Sequence, residues 1–171
     1  MFEHYTERAR RAIFYAHREA AAVGSPYIEP EHLLLGISRE TTALFERLGL
    51  PPDTTETLRS KLDTEHRPPS NPPISIPLSD ASKQVLASAS QEADRLQHRH
   101  IGTRHLLLGL LHEENAQATR LLLELGVTLD AAREKLADGP DDDAPKAPAD
   151  LPAPPRNPGQ AKHVIVFSQP G

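Results

Sequence analysis

The chain repeats itself, and this constrains its fold more than any other feature. Shifting the sequence by 73 positions lays Ile28-Glu29-Pro30-Glu31-His32-Leu33-Leu34-Leu35-Gly36-Ile37 on Ile101-Gly102-Thr103-Arg104-His105-Leu106-Leu107-Leu108-Gly109-Leu110, with six of ten positions identical. The same shift pairs Ala16 with Ala89 and Glu19-Ala20 with Glu92-Ala93. A slightly larger one pairs Leu44, Leu48 and Gly49 with Leu121, Leu125 and Gly126. A unit of about 60 residues buries a modest share of its own surface. The expected product is therefore one pseudo-twofold globule in which each half covers the apolar face of the other.

Proline marks where regular structure must stop. Of the 17 prolines, seven lie in 51–77 and seven in 140–158, so helices are expected before, between and not after these clusters. Apolar residues recur at three- and four-residue spacing through Ala9, Ala12, Ile13, Ala16, Ala20 and Val23, and again through Ala81, Val85, Ala89, Ala93 and Leu96. Gly24, Gly49 and Gly126 read as helix stops; Ser79, Thr103 and an Asp53-x-x-Glu56 capping box read as starts. The result is an all-α fold of eight short helices in two four-helix repeats, at about 6–23, 30–38, 42–48, 53–63, 80–97, 104–112, 116–125 and 129–137. The double repeat is expected over 1–137, with repeat one at about 1–65, repeat two at about 78–137 and the Pro-rich stretch 66–77 joining them. A Pro/Ala/Asp-rich linker over 138–161 and a short apolar tail over 162–171, together a disordered C-terminal tail, are expected to follow. Within the tail, Lys162-His163-Val164-Ile165-Val166-Phe167-Ser168 has the composition of a lone strand.

Composition removes several classes of function. With no cysteine the chain offers no thiolate zinc site and no Cys nucleophile, which fits a reducing, cytoplasmic setting. A net charge of -5 with interspersed signs, and only 4% aromatic residues, give no footprint for nucleic acid or for a membrane surface. No apolar run approaches the roughly 20 residues of a membrane span, and Met1 to Arg8 is too charged for a secretory signal.

The duplicated unit now has a recognisable look. Phe2-x-x-Tyr5-Thr6-Glu7-Arg8-Ala9, Glu31-His32-Leu33-Leu34-Leu35-Gly36-Ile37 and its copy Gly102-Thr103-Arg104-His105-Leu106-Leu107-Leu108-Gly109-Leu110 resemble the amino-terminal domain of Clp ATPase unfoldases, closest to the ClpC/ClpA type. The resemblance covers about residues 1–137. It implies an all-helical double repeat that docks substrates and adaptor proteins for ATPase rings, here as a free-standing recognition domain without those rings. None of the nine glycines precedes a lysine, so no Walker A phosphate loop is present. The expected function is non-enzymatic, with Clp ATPase or protease subunits, adaptors or client proteins as partners and no cofactor.

Candidate ligand contacts lie at the start of the second helix of each repeat, where free N–H groups and the positive dipole end meet. ClpC-type domains resemble one another in a Gly-Thr-Glu-His motif there, whose Glu binds the guanidinium of phosphoarginine while the helix start takes the phosphate. Here each repeat keeps half of that motif. Repeat one retains the acid as Glu31 but places Glu29 and Pro30 where phosphate would sit. Repeat two keeps Gly102-Thr103 yet has Arg104 in place of the acid, which favours an anion over a guanidinium. The plain alternative is that Glu29 and Thr103 are helix caps and nothing more.

Other motifs carry less. His32 and His105 hold equivalent positions and read as packing residues rather than metal ligands, and His98-x-His100 lacks an acidic or thiolate neighbour. His112-Glu113-Glu114-Asn115-Ala116 lacks the second histidine of a zinc-protease helix, and no Gly-x-Ser-x-Gly elbow occurs. The leucine-rich stretches 106–111 and 121–125 read as core, and Asp141-Asp142-Asp143 as solvated linker. Two alternatives to the interaction module remain: a small anion or phosphate-binding sensor that reuses the fold and, more weakly, an enzyme without a local signature.

Overall fold

The structure, a computed structural model, describes residues 4–62 and 75–137. Most of the Pro-rich connection, the 138–161 linker with its aspartates, and the apolar tail 162–171 lie outside the described residues. Among the described residues the chain is all-helical. In order come α1 (Glu7–Ala22), α2 (Pro30–Glu40), α3 (Thr42–Arg47), α4 (Thr54–Lys61), α5 (Asp80–Arg95), α6 (Thr103–His112), α7 (Gln117–Glu124) and α8 (Leu129–Ala137).

The duplication is legible in every detail of α1 and α5. Thr6 Oγ1 accepts the Ala9 N–H at 3.1 Å, and Ser79 Oγ accepts the Ser82 N–H at 3.1 Å, so both helices start on a hydroxyl cap. Their buried residues also coincide after the 73-residue shift: Ala9, Ala12, Ile13, Ala16, Glu19 and Ala20 against Ser82, Val85, Leu86, Ala89, Glu92 and Ala93. Beyond each helix the chain enters the left-handed region at twin positions, Gly24 at φ 70° and Gln97 at φ 59°. This turn ends α5 at Arg95, two residues before the periodicity alone would end it.

Two starts differ from expectation. Asp53 sits at φ −88°, ψ 15° in a turn where the Thr54 N–H reaches Pro51 O, and its side chain caps nothing, so the expected capping box does not form. Thr103 is the first residue of α6 rather than its cap. That place belongs to Gly102, whose extended backbone (φ −103°, ψ −177°) is the ordinary N-cap conformation.

The core is built around α2 and α6, whose central turns, 32–38 and 105–111, are buried on every side. Leu33, Leu34, Leu35 and Ile37 in α2, and Leu106, Leu107, Leu108 and Leu110 in α6, are all at most 2% exposed. The two helices pack on each other, on the first helix of both repeats and on α7. Each lies tight against the first helix of its own repeat. A Cβ placed on Gly36 would collide with Ala12 O and stand 2.8 Å from Ala16 N; one on Gly109 would collide with Val85 O and stand 2.9 Å from Ala89 N.

The halves are also stitched together by backbone. Thr6 N–H donates to Ile101 O at 2.9 Å and Ile101 N–H to His4 O at 2.8 Å. Their twofold images recur as Ser79 N–H to Ile28 O at 3.1 Å and Ile28 N–H to Pro77 O at 2.8 Å. These reciprocal parallel bridges, Tyr5 with Ile101 and Leu78 with Ile28, put the entry to each repeat in the hands of the other.

Candidate functional site

The helix starts singled out by sequence are held by their repeated histidines. Glu29 N–H donates to His32 Nδ1 at 2.9 Å, and Gly102 N–H donates to His105 Nδ1 at 2.8 Å. Each imidazole therefore acts as the returning half of a capping box, a place usually taken by Glu or Gln. This bond decides the metal question for His105. With Nδ1 accepting, the ring proton sits on Nε2, which points at His98 Nδ1 2.8 Å away, so the nitrogen that a cation would need is already a donor. Among the described residues no group of three or more His, Asp or Glu is arranged to hold a metal ion.

The four candidate residues occupy unlike surroundings. Glu31 is half-buried at the second position of α2. Burial raises its pKa and the Glu29 carboxylate adds to this, against a lowering bond from its own N–H. No ion pair to Glu31 forms among the described residues. In repeat two Gly102 is buried, Thr103 is 1% exposed and Arg104 is 6% exposed. Arg104 Nη1 donates to Leu136 O at 3.1 Å, in the last turn of α8. Glu31 and Arg104 thus hold twin places in different repeats, one partly open and anionic, the other closed and cationic. Glu31→Gln should leave stability within about 0.5 kcal/mol or raise it slightly, since the change removes a charge that burial disfavours. A thermal melt at pH 7 checks this.

A separate open groove of about 320 Å³ lies between the Tyr5–Ile101 bridge and α5, lined by His4, Tyr5, Lys83, Leu86, Ala87 and Ile101. It contains none of the four candidates.

The strongest charge constellations are two buried glutamates whose hubs the sequence reading did not reach. Glu92, 2% exposed, takes Arg133 Nη2 at 2.6 Å, His112 Nε2 at 2.8 Å and Arg95 Nε at 3.1 Å. Its image Glu19 takes Arg59 Nη2 at 2.7 Å and Arg39 Nη1 at 3.3 Å. Burial alone would raise both carboxyls. Hydrogen bonds from Arg133, His112 and Arg95 outweigh it and hold Glu92 at about 2, and Arg59 and Arg39 lower Glu19 likewise. The signal was available: an acid on the apolar stripe of a helix at the same place in both repeats, with Arg59 and Arg133 also twinned at a 74-residue offset. These hubs fasten the first, second and fourth helices of each repeat.

A carboxyl lowered on folding contributes stability above its usual pKa, and that contribution disappears as pH falls through the folded value. Glu92 should therefore account for a stability loss of about 2–3 kcal/mol between about pH 4.5 and 2, trimmed by the solvent exposure of its arginines. Glu92→Gln should cost a similar amount at pH 7 and flatten the acid limb. Urea unfolding at stepped pH reads both effects, and an unchanged acid limb would remove Glu92 from this role. The raised pKa of Glu31 acts in the opposite sense, gaining stability as pH falls.

Among the described residues, eight helices in two interlocked, pseudo-twofold repeats, with a capped helix start and a buried acidic hub in each, define an all-α tandem-repeat domain. The sequence profile of the Clp repeat (R) N-terminal domain matches the chain at residues 4–73 and again at 77–161, and the chain belongs to that family. It is 34% identical over 140 residues to the chaperone protein ClpB of Oceanobacillus iheyensis, an alignment covering 80% of this chain and 17% of that protein. It is 33% identical over 140 residues to the negative regulator of genetic competence ClpC/MecB of Bacillus subtilis, with the same 80% and 17% coverage. The chain thus spans about a sixth of the length of these relatives. Among solved structures it is similar to the N-terminal domain of the caseinolytic protease associated chaperone ClpD from Arabidopsis thaliana. That match has a TM-score of 0.61, 29% identity and coverage of 81% of this chain and 97% of that one. The Hsp104 N-terminal domain of Candida albicans shares the fold, with a TM-score of 0.62, 22% identity and coverage of 78% and 89%. No described helix is long and apolar enough to cross a membrane.

Proposed function

We propose that this chain is a non-enzymatic protein-recognition domain of a cytoplasmic Clp chaperone or protease system, docking clients or adaptors or modulating a Clp ATPase. The observation that supports this reading is that the Clp repeat (R) N-terminal domain profile matches both halves, at residues 4–73 and 77–161. Within the domain we assign the partner contact to Glu31. A half-buried carboxylate whose neighbour is the like-charged Glu29 is suited to a cationic group brought by a partner, above all a planar guanidinium. Gly102, Thr103 and Arg104 belong to the same proposal as the repeat-two counterpart, with the α6 start available to an anion only if Arg104 exchanges its bond to Leu136 O.

Immobilised full-length chain exposed to lysate of its source should retain Clp ATPase, peptidase or adaptor subunits, and free arginine or salt should weaken that retention. Recovery of no protein, together with a thermal shift on adding phosphate, would favour the anion sensor instead.

A further inference from the structure

The twofold register pairs the open groove beside α5 with a place beside α1 that the chain has already filled. Of the residues lining the groove, Leu86, Ala87 and Ser90 are the images of Ile13, Phe14 and His17 after the 73-residue shift, and the Tyr5–Ile101 bridge at its edge is the image of Leu78–Ile28. Beside α1, Ile76, two residues before Leu78, is 4% exposed, and its N–H donates to His17 Nε2 at 3.3 Å. The image of Ile76 is Glu3, which lies outside the described residues and whose carboxylate is a poor occupant of an apolar groove. Ala87 and Ser90 are also far smaller than Phe14 and His17, which leaves room for a larger side chain in the groove of about 320 Å³.

We propose that the α5 groove is the seat of the chain's own C-terminal apolar run, Val164-Ile165-Val166-Phe167, taken up as the α1 side takes up Ile76. Among the stretches outside the described residues, this is the one with four consecutive large apolar side chains. Residues 138–163 can span up to about 85 Å, over twice the roughly 35–40 Å width of a domain of this size, so the run reaches any face. Tethering holds it at an effective concentration of about a millimolar, at which a groove of only millimolar intrinsic affinity is about half filled. Seated there, the run closes the groove to an apolar segment of any partner until that segment outcompetes it. The contact is independent of the assignment of Glu31.

The chain has no cysteine, so a nitroxide attached to full-length Ser168→Cys reports on the tail alone. With the groove about half filled, its relaxation effect on amide signals should be at least about threefold larger at Lys83, Ala87 and Ser90 than at their twins Arg10, Phe14 and His17. Adding Ile165→Asp together with Phe167→Asp should abolish that difference, because each carboxylate resists burial among apolar groups. Equal effects on the two faces, or a difference that survives the two aspartates, would overturn the proposal. So would a difference that arises only between a labelled copy and an isotope-enriched one, which gives the groove to a second chain. Groove signals that shift on Phe2→Ala and not with the aspartates would overturn it too, giving the groove to the amino terminus.

Discussion

A fragment carrying residues 1–66 alone is expected to be unfolded, with no cooperative melt and with collapsed amide dispersion. In the whole chain Tyr5 and Ile28 are 8% and 4% exposed, and the backbone partners beside them, Ile101 and Pro77, lie outside the fragment. The fragment would bare the side of α2 that packs on α6 and α7. Each half has about 60 residues, a size at which only about 60% of the unfolded surface is buried even in an independent domain. Mixing the fragment with residues 67–171 should restore helicity and a single melt. A cooperative transition in residues 1–66 alone would show that the halves are neighbours rather than one folding unit.

The second large effect is expected at the two glycines of the leucine motif. Gly36→Ala and Gly109→Ala should each cost about 2–3 kcal/mol, lowering the melting temperature by roughly 10 °C. Alanine is the better helix former by about 1 kcal/mol, so a site in open helix would gain. Here the added methyl meets a carbonyl of the facing helix, and backbone cannot rotate away as a side chain can. Separating α1 from α2, or α5 from α6, is the remaining response, and it loosens the most buried leucines in the domain. Because the clashes are twofold images, the two costs should be similar. A stabilised Gly109→Ala variant would mean that the helices do not approach this closely.

These residues also show which parts of the fold were legible in the sequence. Helices with an apolar stripe and a hydroxyl cap, such as α1 and α5, announce themselves through local spacing, and the repeated leucine run marks α2 and α6 as central. Local chemistry misled at Asp53, where a turn through Pro51 and Thr54 took the backbone away from the cap conformation. It also misled at Thr103, because Gly102 caps α6 without a side chain of its own while His105 holds its N–H. Glu31 and Arg104 were visible as a split pair, and their unequal exposure was not. Exposure depends on α8, whose Leu136 lies 32 residues from Arg104 in sequence and is brought to it only by folding. The glutamate hubs were half visible for the same reason: the twinned acids stand out in the sequence, but Arg59 and Arg133 reach them from the fourth helix of each repeat only on folding.

The most direct measurement is the affinity of the recovered Clp subunit or adaptor for wild-type chain and for Glu31→Gln at pH 7. Losing one member of a charge-assisted pair on a partly desolvated site costs about 1.5–3 kcal/mol. The expected result is therefore binding at least about tenfold weaker in the variant, while its melting temperature stays level or rises slightly. Affinities equal within about a factor of two, in two equally folded proteins, would contradict the assignment and move the recognition surface away from the start of α2.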